Sequence, residues 1–129
     1  MASGESFKTC GMCGKVWPAW QDFVVDPRLR LLGLQAIPRS PDANALVFEH
    51  ECGTTVSILA TKLRHLLSDL HVGEGLPPLY GTALCNKHCS RLEDLSACDN
   101  ECRNSGDRRL TLLVRDILRS GALPARFKR

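Results

Sequence analysis

The segment ALVFEHEC, residues 45–52, decides how this chain is read. Its apolar positions alternate, so as a β-strand it places Leu46, Phe48, His50 and Cys52 on one face. Two metal donors two residues apart then point the same way. What faces them comes from KTCGMCGK, residues 8–15, where Cys10 and Cys13 form C-x2-C. Gly11 and Gly14 each follow a cysteine of that motif, where the backbone must curl toward the sulfurs and positive φ is useful.

The chain has seven cysteines, and an odd number cannot all pair as disulfides. Cys85 and Cys89 form C-x3-C, and Cys98 and Cys102 form a second. With His50 there are two sets of four donors, Cys10/Cys13/His50/Cys52 and Cys85/Cys89/Cys98/Cys102. Donors arriving as close pairs are the pattern of closed tetrahedral zinc sites, so two zinc ions are expected. At the C-x3-C pairs, two disulfides or an iron–sulfur cluster held by four thiolates are the alternatives. His88 lies inside that motif and is read as facing solvent. The Cys10–Cys13 spacing also suits dithiol redox chemistry, although no strand precedes it to place it at a helix N-terminus.

The C-x2-C with H-x-C resembles the knuckle pairing of zinc ribbons and treble clefs, and more loosely that of Cys-rich small bacterial proteins with ribbon-type knuckles. The likeness covers the four ligands and their neighbours. It implies structural metal and a binding role. A long interval between Cys13 and His50 departs from a standard ribbon and must hold an inserted strand and loop. Were the twin C-x3-C pairs disulfide-bonded, they would be similar to the small translocase chaperones of the mitochondrial intermembrane space.

Around these motifs the expected class is α+β: a small zinc-stapled domain with an N-terminal knuckle and β-hairpin, a central amphipathic helix and a C-terminal helical four-cysteine unit. The hairpin pairs Leu29–Ile37 with Ala45–Cys52, across a Pro38–Asp42 turn. Thr54 or Thr55 is expected to cap the central helix, with Leu59, Leu63, Leu66, Leu67 and Leu70 on one face. Residues 1–72 and 73–129 are the two parts, packed as one domain. A last helix runs from about Asp107 to Ser120, with Leu110, Leu113, Val114, Ile117 and Leu118 as its stripe. Gly121 and Pro124 stop it.

A formal charge of +3 counts the cysteines as thiols. Two zinc ions on seven thiolates would bring it to about zero. Overall charge therefore argues poorly for a nucleic-acid partner. The segment from Arg103 onward carries eight cations against Asp107 and Asp116. Arg108, Arg109, Arg115, Arg119, Arg126 and Lys128 are its candidate phosphate contacts, with a solvated helix face as the plainer reading. His65 and His71 read as ordinary surface residues.

No hydrolytic zinc motif, c-haem motif or phosphate-cradling glycine loop is present. Glu49 and Glu51 neighbour the ligands, but strand alternation turns them away. Catalysis is not supported, and the expected task is non-catalytic, with a protein as the partner. An iron–sulfur or dithiol electron carrier and a nucleic-acid-binding zinc protein are the rivals. The first residues lack a secretory signal's basic and apolar regions, and no apolar run would span a bilayer, so a cytoplasmic location is expected.

Overall fold

The structure is a computed structural model that describes residues 6–37, 41–66 and 105–124. Its class is α+β. Strands β1 (Lys8–Thr9) and β2 (Val16–Trp17) form a small antiparallel hairpin around the C-x2-C turn. A short helix α1 (Trp20–Val24) follows, its first turn held by the Asp22 carboxylate accepting the Ala19 N–H at 3.0 Å. Then β3 (Leu29–Gln35), β4 (Ala45–His50) and β5 (Thr55–Leu59) build a meander in the order β3-β4-β5. The last described element is α2 (Ser105–Ser120).

The core face of the meander follows from its register. Leu29 lies opposite His50, Leu31 opposite Phe48, and Leu34 opposite Leu46. Strict alternation would not put Leu29, Leu31 and Leu34 on one side. A bulge between Leu31 and Gly33 inserts one residue and restores the match. On the other flank Val56 pairs with Phe48 and Ile58 with Leu46, and both are buried.

Aromatic content is low, but what exists is concentrated. Phe23 of α1 packs edge-on against Trp17 at 5.0 Å and Phe48 at 4.9 Å between ring centroids, with Phe7 tilted against it at 5.6 Å. Such pairs add about 0.5–1.5 kcal/mol each beyond the area they bury. Helix α2 covers β3 and contributes Leu110, Val114 and Ile117 to the same core, with Leu113 and Leu118 partly buried beside them. This is the stripe its sequence predicts. Gly121, at φ 73°, ends the helix with its N–H donating to the Ile117 carbonyl.

The expected central helix is not where the pattern placed it. Residues 55–59 form strand β5, and Ala60–Lys62 form a 3-10 turn. The β-branched run Thr54, Thr55, Val56 and Ile58 favours extended backbone. Pairing with Ala45–Glu49 then secures it. Leu63 and Leu66 are buried, as expected of the stripe, but at the three-residue spacing of 3-10 turns. Leu67 and Leu70 lie outside the described residues, as does the 73–104 segment with its helical four-cysteine unit. Among the described residues, no helix is long and apolar enough to cross a membrane.

Candidate metal centre

Two hairpin turns present the ligands, and they are built alike. In the first, the Cys10 N–H donates to the Lys15 carbonyl at 2.8 Å, and the Cys10 carbonyl accepts the Gly14 N–H at 3.0 Å. In the second, the His50 N–H donates to Thr54 at 2.9 Å, and the His50 carbonyl accepts the Gly53 N–H at 2.8 Å. Each turn closes on a glycine directly after its second ligand, Gly14 at φ 79° and Gly53 at φ 91°. Gly11 is not in the left-handed region, so the expectation of positive φ holds for Gly14 alone in that motif. Gly53, which no cysteine-pair motif of the sequence marks, is its counterpart.

His50 ends β4 on the core face, as alternation predicts, and is 3% exposed. Cys52 does not. It sits in the turn beyond the strand, and the curl ending at Gly53 swings its sulfur back to His50. Edge-on packing against Trp17, at 5.2 Å between ring centroids, fixes the imidazole. The indole is anchored in turn by its Nε1–H donating to Asp26 at 2.8 Å.

The four donor atoms all lie within 4.8 Å of one another. Cys10 Sγ is 3.6 Å from Cys52 Sγ, Cys13 Sγ is 3.6 Å from His50 Nδ1, and His50 Nδ1 is 3.2 Å from Cys52 Sγ. A tetrahedral zinc with sulfur at about 2.3 Å and nitrogen at about 2.0 Å has sulfur–sulfur edges of about 3.8 Å and sulfur–nitrogen edges of about 3.5 Å. The spacing therefore suits a metal ion. It is too long for a disulfide, whose sulfurs stand about 2.05 Å apart. Nδ1 faces the sulfurs, while Nε2 is buried and lacks a hydrogen-bond partner among the described residues. A neutral imidazole ligating through Nδ1 and keeping its proton on Nε2 fits this geometry.

The thiols are electrostatically unequal. The Cys13 amide, then that of Met12 and hydrogen bonds with the Cys52 and Cys13 side chains, outweigh burial and bring Cys10 down to about 6. At Cys52 the backbone hydrogen bond with Thr54 lowers the pKa. Burial, hydrogen bonds with Cys10 and Cys13, and the Cys10 charge outweigh it, and the net shift is upward. A second thiolate beside the first is unfavourable without a cation, which a divalent ion would supply.

Glu49 turns away, as the alternation predicts, and Glu51, in the turn beyond β4, does so too. They pair with Arg30 at 2.8 Å and Arg28 at 3.5 Å on the outer face of the sheet. Cys85, Cys89, Cys98 and Cys102 lie outside the described residues, as do His71, His88, Arg126 and Lys128.

The basic helix is corrected at one position. Arg108 is 2% exposed, so it does not offer its charge to a phosphate backbone. It shares the first turns of α2 with the buried Asp107, and this part of the helix packs into the fold. Arg115 lies 3.3 Å from Asp116, while Arg109 and Arg119 are exposed. His65 is less ordinary than its sequence context suggests: it packs edge-on against Trp20 at 4.8 Å, and burial lowers its pKa.

Comparison of the chain with protein families, with characterised proteins and with solved structures finds no match.

Proposed function

We propose that this is a zinc-binding protein whose Cys10/Cys13/His50/Cys52 site is structural, and that it works as a protein-interaction module. The observation that carries the reading is the convergence of three sulfurs and one imidazole nitrogen within 4.8 Å, from two turns 37 residues or more apart. Zinc is favoured because three thiolates and one imidazole are among its closed structural donor sets. With four protein ligands no coordination position remains for substrate. The nearby carboxylates, Glu49 and Glu51, are paired on the opposite face.

The paired turns resemble the knuckles of a zinc ribbon, with α1 and β3 lying in sequence between the β1–β2 hairpin and β4. A metal here clasps the β1–β2 hairpin to the meander and so holds the tip of that hairpin rigid. That tip displays Met12, 68% exposed, and strand β2 beside it displays Val16, 47% exposed, the apolar side chains through which we infer that a protein docks. A photo-crosslinking residue at Met12 is expected to capture a protein in cells, and the same residue at Arg30 is not.

The metal reading is tested by site-resolved alkylation of the purified full chain. With zinc bound, Cys10, Cys13 and Cys52 should resist alkylation together and become reactive together when a chelator is added. Three cysteines that react equally fast with and without zinc would refute the site. A brown protein with visible sulfur-to-iron absorption would favour the iron–sulfur rival.

A further inference from the structure

The three cysteines of the metal site are not equivalent toward solvent: Cys10 is buried, Cys13 is exposed, and Cys52 lies in an exposed turn with its metal-facing side partly covered. Thiolates that solvent reaches are the ones that peroxides attack. The Cys52 sulfur, in a partly buried contact, stands 3.6 Å from that of the buried Cys10. Cys13 Sγ stands at the same 3.6 Å from His50 Nδ1. An oxidised Cys52 thus has a second thiolate directly behind it, on the other hairpin.

Resting on the metal-site reading above, we propose that this centre is a peroxide-responsive switch in which a Cys10–Cys52 disulfide replaces the metal. Hydrogen peroxide transfers one oxygen to the Cys52 thiolate, leaving a sulfenic acid and, after protonation, one water. The Cys10 thiolate attacks the Cys52 sulfur, the S–S bond forms, and the sulfenic oxygen leaves as a second water. Two thiolates, one peroxide and two protons give one disulfide and two waters, with two electrons passing from sulfur to peroxide. The metal keeps only Cys13 and His50 and is released. The disulfide spans the same two hairpins as the metal, so the fold is retained while the knuckle tip around Met12 and Cys13 loses its clamp.

The test uses the zinc-loaded full chain, freed of reductant and titrated with hydrogen peroxide. Zinc release is followed with a chromogenic chelator, and disulfides are mapped after thiol blocking and trypsin digestion. Cys10 and Cys13 share the tryptic peptide 9–15, and Cys52 lies in 40–62. The expected product joins these two peptides, and fragmentation places the bond at Cys10. One zinc appears per cross-link, and dithiothreitol with zinc reverses both changes. Cys13→Ser should still form the link.

Zinc retained with Cys10 and Cys52 unmodified would overturn the switch while leaving the metal site standing. So would a Cys10–Cys13 link within 9–15, or a bond from Cys52 to Cys13. Loss of zinc protection before any peroxide is added would instead overturn the metal reading, and the switch with it.

Discussion

The Arg64 guanidinium forks onto the buried carboxylate of Asp107, Nε at 2.9 Å from Oδ1 and Nη2 at 2.8 Å from Oδ2, across 43 residues of sequence. The same carboxylate accepts from Asn44 Nδ2 at 2.9 Å, while Asn44 Oδ1 takes the Ile37 N–H at 2.6 Å. Arg64 also reaches Asp42 at 2.8 Å, and these carboxylates, Asp107 foremost, push its pKa further up. The first turn of α2 is thereby tied to both ends of the loop before β4 and to the segment after β5. Arg64 is about one-third exposed and keeps Asp42, so removing Asp107 forfeits its charge-assisted hydrogen bonds without leaving a bare buried charge, at a cost of about 1.5–3 kcal/mol. Asp107→Ala is therefore expected to lose that much in denaturant unfolding of the zinc-loaded chain. A loss below about 1 kcal/mol, as for a surface pair, would contradict this account of α2 docking.

Trp17 links the core to the metal ligand. Trp17→Ala removes a fully buried aromatic, with an expected cost of about 3–5 kcal/mol. Trp17→Phe keeps most of the packing but strands one oxygen of Asp26, for about 1–3 kcal/mol. Because the imidazole rests on the indole, both variants should also bind zinc more weakly than the parent. Competition with a calibrated chelator measures this.

The glycine pair gives a matched comparison. A Cβ at Gly14, Gly53 or Gly11 would meet nothing within 4 Å, so any cost is conformational. Left-handed backbone costs a non-glycine residue about 1–2 kcal/mol. Gly14→Ala and Gly53→Ala should each lose that amount in thermal or denaturant unfolding, and Gly11→Ala should lose little. Equal effects at all three positions would show that the turns are not what the glycines serve.

Much of this was legible in the chain. Alternation along 45–50 gave the strand and the inward aim of His50, and the 110–118 stripe gave the buried face of α2. Convergence of Cys10, Cys13, His50 and Cys52 could be read because close donor pairs carry their own geometric logic. The helix expected from Thr54 onward failed for a local reason, the β-branched residues of 54–58, and for a non-local one. Leucine spacing from 59 to 66 is real, but residues 55–59 are captured by β4 once Gly53 reverses the chain. Cys52 reached the site by that turn rather than by strand alternation. Burial of Asp107 was equally hidden, since its partners Asn44 and Arg64 come from distant parts of the chain, and nothing in the helical pattern marked Arg108 as buried.

The thiols make the metal-free protein pH-dependent in opposite senses. Cys10, lowered from 9.0 to about 6, stabilises the fold above about pH 9 and loses that contribution as pH falls toward 6. Cys52 is raised, so its contribution is present below pH 9.0 and lost as pH rises through its higher value. The difference in thiolate ultraviolet absorbance between the metal-free parent and Cys10→Ser should therefore appear with a midpoint near pH 6. A midpoint near 9 would contradict the role assigned to the Cys13 and Met12 amides. Zinc affinity should weaken as pH falls, because ligation requires the thiolates.

The most direct measurement of the central claim is an anomalous difference map recorded at the zinc edge from crystals of the full chain. The account predicts a peak at about 2.3 Å from the sulfurs of Cys10, Cys13 and Cys52 and about 2.0–2.1 Å from His50 Nδ1. No peak between those four side chains, or a metal bound through His50 Nε2 instead, would contradict it.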